Sequence, residues 1–168
     1  MTRKGYRMIQ GIPSNFDFLT PNSVIMLDDL MVQSKNKGIV DELFTVKAHH
    51  VPCFVICTQQ NLFYSGHKRD RQLNTQYVVL FNNNRDKLQI EYLGRQMFPS
   101  SKHFLREAFM DATKAPHSYL LVDMHTETPQ LLAVRARILP DERPMVAYID
   151  KQTYGDLAIY NFQNANAL

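Results

Sequence analysis

Four apolar runs, each too short to make a globular helix, constrain this chain more than any other feature. Val24-Ile25-Met26-Leu27 follows Pro21 and Asn22 and ends in Asp28 and Asp29. Pro52 to Cys57 ends in Thr58-Gln59-Gln60, Tyr77-Val78-Val79-Leu80-Phe81 comes next, and Tyr119 to Val122 follows Pro116. Runs of this length bounded by turn residues predict buried strands. The first three do not alternate between apolar and polar residues, which predicts strands covered on both faces.

Between the runs the period changes. From Gly38 to His49 the apolar residues Ile39, Val40, Leu43, Phe44 and Val46 recur at spacings of three and four, with Asp41, Glu42 and Lys47 between them. This is the pattern of an amphipathic helix. Residues 85 to 97, with Leu88, Leu93 and Met97, and 102 to 113, with Phe104, Leu105, Ala108 and Phe109, predict two more helices, separated by Pro99-Ser100-Ser101. Ser101 is placed to cap the second. Leu132, Val134, Ala136 and Ile138 alternate with Arg135 and Arg137, predicting a half-exposed edge strand or hairpin arm over 131 to 139. Strands alternating with helices indicate an α/β sheet that is largely parallel. After Pro140 the periodicity weakens, so residues 1–140 are expected to form one core and 141–168 a weakly structured or partner-dependent tail.

At 168 residues and 45% hydrophobic content the chain holds enough apolar material for one domain core. Its 19 basic and 16 acidic residues leave a formal charge of only +3, which allows DNA as a partner without announcing it. Cys53 and Cys57 lie in one strand run, roughly 13 Å apart, and do not bridge each other. No apolar stretch nears the length of a membrane span, and Met1-Thr2-Arg3-Lys4 leads into no apolar signal region. A soluble intracellular protein without membrane partners is therefore expected.

Three features carry chemistry. Asp28 and Asp29 put charge at the C-terminal end of a buried strand, where open α/β sheets bind ligands. In a nucleotide hydrolase the first such carboxylate holds hydrated Mg²⁺ and the next polarises the attacking water, against the plainer reading of a solvated strand end. Val55 to Asn61 ends in amides, and an amide such as Gln60 both donates to a γ-phosphate oxygen and accepts from water, when it is not merely satisfying a loop. His67-Lys68-Arg69-Asp70-Arg71 and Arg85 offer guanidinium groups able to neutralise a transferring phosphoryl group across a subunit boundary, Arg69 and Arg85 ahead of Arg71. His49-His50 has no companion ligands at zinc spacing, and no Gly-x-Ser-x-Gly nucleophile elbow occurs.

In this order the chain resembles the FtsK/HerA-like DNA-packaging ATPases of large eukaryotic DNA viruses and their related self-replicating transposons. The resemblance runs over roughly residues 8 to 140 and rests on Val24 to Met31, Leu43-Phe44-Thr45 to His49-His50, Gln60-Asn61-Leu62-Phe63, Leu73-Asn74, Tyr77 to Phe81, Arg85-Asp86 with Gln89, Arg95-Gln96-Met97, and Tyr119 to Asp123. It implies a three-layer P-loop NTPase-like fold of the RecA/ASCE type with a mostly parallel sheet, truncated at its N-terminus. It also implies Walker B roles for Asp28, nearer Mg²⁺, and Asp29, acting on water, and a sensor role for Gln60. ATP and Mg²⁺ are the implied cofactors, double-stranded DNA the substrate, and a homo-oligomer the working form, in the nucleus, a cytoplasmic viral assembly site or the virion.

One departure is large. The family carries Gly-x-x-x-x-Gly-Lys-Ser/Thr upstream of the acidic strand, and Lys4, Gly5, Gly11 and Ser14 do not supply it. That loop provides the amide cradle and lysine for the phosphates, so the isolated chain is expected neither to bind ATP tightly nor to hydrolyse it. In the family the strand feeding the loop lies between those corresponding to residues 52–57 and 77–81, so its absence is expected to expose two apolar edges. The leading expectation is a fragment of a DNA-translocating motor ATPase. The alternatives are a non-catalytic module that joins complete ATPase subunits and an unrelated doubly wound domain binding a small ligand.

Overall fold

The computed structural model describes residues 2–3, 6–28, 42–44, 51–60, 74–83, 87–142 and 144–151. They fall into two compact units, Met1–Thr75 and Gln76–Leu168.

In the first unit, strands β1 (Thr2–Arg3) and β2 (Tyr6–Arg7) form a short antiparallel pair. Further on, Asn22 adopts a left-handed backbone at φ 66°, a conformation its short amide side chain tolerates, and its N–H donates to the Pro52 carbonyl at 2.7 Å. This turn starts β3 (Ser23–Leu27), which pairs in parallel with β4 (Cys53–Cys57) from Ser23 opposite Cys53 to Leu27 opposite Cys57. Parallel neighbours require a long crossover, here residues 28 to 52. The helix expected from Gly38 to His49 lies outside the described residues except at 42–44, where Leu43 is fully buried with Phe16 and Leu27. Ile25, Val55 and Cys57 pack on the same cluster.

Because strand side chains alternate, the other face carries Val24, Met26, Phe54 and Ile56. All four are exposed, Met26 to 64% and Phe54 to 69%. Coverage of both faces, expected from the unbroken apolar runs, is thus absent from this pair as described. An apolar run suits a pleated surface whether or not a second layer lies on it.

The second unit holds β5 (Tyr77–Phe81), α1 (Leu88–Met97), α2 (Phe104–Ala112), β6 (Tyr119–Asp123), a 3₁₀ turn (Gln130–Leu132), β7 (Val134–Ala136) and β8 (Val146–Ala147). The sheet order is β5-β6-β7-β8, antiparallel throughout. β6 and β7 are its interior strands, and all five residues of β6 are buried. Complete burial of Leu120 and Val122 stabilises by about 1.5–3 kcal/mol each. In α1 the buried residues are Gln89, Ile90, Leu93 and Gly94, and in α2 Leu105, Ala108 and Phe109. Both sets form single stripes at helical spacing. The helices meet at Gly94, where an added Cβ would lie 3.2 Å from that of Leu105. Beside this contact Phe98 and Phe104 stack edge to face at 4.8 Å.

The chain is therefore mixed α/β, with a parallel two-stranded sheet and an antiparallel four-stranded one. The expectation of a largely parallel sheet is met only by β3 and β4. Two helices in succession between β5 and β6 explain the other sheet: each reverses the chain once, so β6 returns antiparallel to β5. A single intervening helix would have returned it parallel.

Other local expectations shift for identifiable reasons. Ser101 does not cap α2, whose N-cap is His103 without a side-chain bond. Its hydroxyl instead donates to Asp150 Oδ2 at 2.6 Å, both side chains being buried. The strand expected over 131–139 shrinks to β7. The 3₁₀ turn precedes it, and beyond it Arg137 takes a left-handed φ of 56°. Residues 144–151, assigned to the tail on sequence, contribute β8 and the buried Asp150, while 152–168 lie outside the described residues.

Candidate functional site at the strand ends

Parallel pairing brings the C-terminal ends of β3 and β4 to one side of their sheet. With Leu27 opposite Cys57, the next residues in register are Asp28 and Thr58. Two hydrogen bonds fasten them. The Thr58 N–H donates to the Leu27 carbonyl at 2.9 Å, and the Thr58 hydroxyl donates to Asp28 Oδ1 at 2.6 Å. Asp28 is exposed, Thr58 half-buried, and Gln59 and Gln60 exposed beyond it. Asp28 and Gln60 thus leave the sheet at the same end, Asp28 one residue past β3 and Gln60 three residues past β4.

Of the other residues singled out on sequence, Asp29, Arg69, Arg71 and Arg85 lie outside the described residues, as do His49 and His50. The register that pairs Asp28 with Thr58 was available in principle by laying the two apolar runs side by side in parallel. In sequence Thr58 is only the residue before two amides, and nothing local marks it as a partner of Asp28.

Cys53 and Cys57 are half-buried and form no disulfide, and burial pushes the Cys53 thiol pKa up, away from thiolate reactivity. Among the described residues no group of three or more His, Cys, Asp or Glu side chains is arranged to hold a metal. That donor set does not fit an ion caged by protein alone. A divalent ion that keeps several of its waters takes only one or two protein carboxylates, and Asp28 offers one. Asp28, exposed at a strand end and oriented by a neighbouring hydroxyl, has the character of such a ligand.

In the second unit several described polar groups hold the fold. Asp123, at the end of β6, pairs with Arg135 and accepts from the His125 N–H at 3.1 Å. Tyr119 donates to Glu142 at 2.6 Å and accepts from the Ile138 N–H at 3.3 Å. Its pKa is raised by burial first and then by the Glu142 bond. Asp111 receives Lys114 at 2.6 Å and Tyr148 at 2.8 Å. The Lys114 bond, and next the Tyr148 bond, lower the Asp111 pKa, while burial and then Asp111 raise that of Tyr148. An open groove between the end of β5 and the α2–β6 loop includes Asn82, Lys114 and His117, but Lys114 is already engaged by Asp111.

No helix among the described residues is long and apolar enough to cross a membrane. No family model matches the chain, and no curated protein or solved structure matches it either.

Proposed function

We propose that this chain is the portion of an FtsK/HerA-like DNA-packaging motor ATPase that carries the acidic Walker B strand and the sensor glutamine. The observation that carries the reading is the shared exit of Asp28 and Gln60 from adjacent parallel strands. Ligands of open α/β sheets collect at the carboxyl ends of the strands, and one triphosphate spans the space outside two neighbouring ends.

In this reading the complete fold is a three-layer P-loop NTPase-like sheet. Among the described residues β4 and β5 each stand at the end of a strand order, so each offers an edge to a further strand. A phosphate-loop strand pairs on such an edge. Asp28 holds the cation of a magnesium nucleotide, Asp29 orients and polarises the attacking water, and Gln60 bridges that water and the γ-phosphate through its amide. Magnesium, when bound, offsets charge on the transferring phosphoryl group. Arg69 and Arg85 are the candidates for a cation supplied across a subunit boundary. Double-stranded DNA is the substrate moved by the oligomer, in the host nucleus, at a cytoplasmic assembly site or in the virion.

The reading is tested by titrating a fluorescent ATP analogue, with and without Mg²⁺, into this chain and into a form extended upstream by a phosphate-loop strand. The expected result is no tight binding by the chain alone and Mg²⁺-dependent binding by the extended form that Asp28→Asn weakens. Equal binding by both forms, indifferent to Asp28→Asn and Gln60→Ala, overturns it.

The exposed outer face of Val24, Met26, Phe54 and Ile56 favours a second reading, a non-catalytic module that docks on complete ATPase subunits. In that case Phe54→Lys abolishes association with a complete subunit, whereas Asp28→Asn leaves association and activity unchanged.

A further inference from the structure

We infer that Thr58 is a positioning residue for Asp28, fixing the plane of its carboxylate so that the remaining acceptor positions meet a divalent cation; this rests on the reading of Asp28 as the cation ligand.

Three features of the geometry support it. First, the hydroxyl donates to Asp28 Oδ1 at 2.6 Å, a close O–H···O bond between side chains 30 residues apart in sequence. Second, the donor is rigid. Threonine is branched at Cβ and stiff about χ1, and its backbone is tied to the carbonyl before Asp28 by the 2.9 Å bond to Leu27. The hydroxyl therefore cannot follow a swinging carboxylate, so the carboxylate must conform to it. Third, Asp28 is exposed and just past the end of β3, where an aspartate without such a bond samples several rotamers. A carboxylate has about four acceptor sites, so one bond at Oδ1 orients the group and leaves capacity for a cation. Outer partners of this kind commonly hold metal-ligating side chains in place.

The alternative is that Thr58 only closes the end of the β3–β4 ladder. Its backbone bond to Leu27 already does that and survives any side-chain substitution, so the two roles separate in experiment.

The test uses the full chain, ¹⁵N-labelled, with Mn²⁺ as the probe and paramagnetic broadening of the Asp28 and Thr58 amide signals as the readout. Thr58→Val is expected to raise the Mn²⁺ concentration for half-broadening by roughly tenfold, the low end for loss of an outer partner of a metal ligand. Thr58→Ser, which keeps the hydroxyl, is expected to stay close to wild type. In an Asp28→Asn background Thr58→Val is expected to add nothing. Should Thr58→Val fail to fold, Thr58→Ala removes the same hydroxyl with no extra bulk. If Asp28→Asn abolishes the broadening but Thr58→Val and Thr58→Ala leave it at wild-type concentrations, the positioning role is wrong and the ligand role of Asp28 stands. If Asp28→Asn itself leaves the broadening unchanged, the cation reading of Asp28 falls and the role of Thr58 falls with it.

Discussion

The bond from Ser101 to Asp150 makes a strong prediction about the second unit. It joins the turn between α1 and α2 to the segment after β8, 49 residues away in sequence, through side chains only 7% and 5% exposed. Ser101→Ala deletes the donor and leaves a buried carboxyl short of one partner, a loss of about 1.5–3 kcal/mol for a bond to a charged group. Both residues make further interactions, so the lower part of that range, about 2 kcal/mol, is expected. With a urea slope of about 1–3 kcal/mol per molar, the unfolding midpoint falls by about 1 M. Asp150→Ala, which removes the acceptor, is expected to cost a similar amount. Because both variants remove one interaction, the double variant should lose clearly less than the sum of the two, with a coupling of about 1 kcal/mol or more. The assay is urea denaturation followed by circular dichroism on the four proteins. Single variants with midpoints and slopes indistinguishable from wild type would refute the reasoning, and with it the conclusion that residues 144–151 are an integral part of this unit.

Two other outcomes follow from packing and ionisation. Gly94→Ala places a Cβ 3.2 Å from that of Leu105 and 3.5 Å from the Lys102 carbonyl oxygen, and overpacking of about 1–3 kcal/mol should outweigh the gain of about 1 kcal/mol in helix propensity; a rise in thermal stability would contradict the tight crossing of α1 and α2. Tyr148 has its folded-state pKa raised by burial and by Asp111, so its contribution is fully present below the unfolded value of about 10 and is lost as pH rises through the folded one. Melting temperatures between pH 8 and 12 should therefore fall more steeply for wild type than for Tyr148→Phe, and parallel curves would show that the phenol is not held as described.

The chain's local grammar is legible in its order of residues. Short apolar runs place β3, β4, β5 and β6 to within a residue or so, and the three-and-four spacing of Leu105, Ala108 and Phe109 marks α2, because strand and helix periods follow from backbone sterics acting over a few residues. The same runs locate Asp28 and Gln60 at strand ends. Partners are another matter. Whether β5 and β6 run parallel or antiparallel, whether Ser101 turns to its own helix or to Asp150, and which hydroxyl meets Asp28 depend on groups 30 to 49 residues distant. No local preference encodes those choices, since each is decided by loop closure and by which buried polar group would otherwise go unsatisfied. Sequence alone determined strands β3 to β6, helices α1 and α2, and the residues that end β3 and β4; the tertiary structure decided the pairing of the strands, and through it that Thr58 stands beside Asp28.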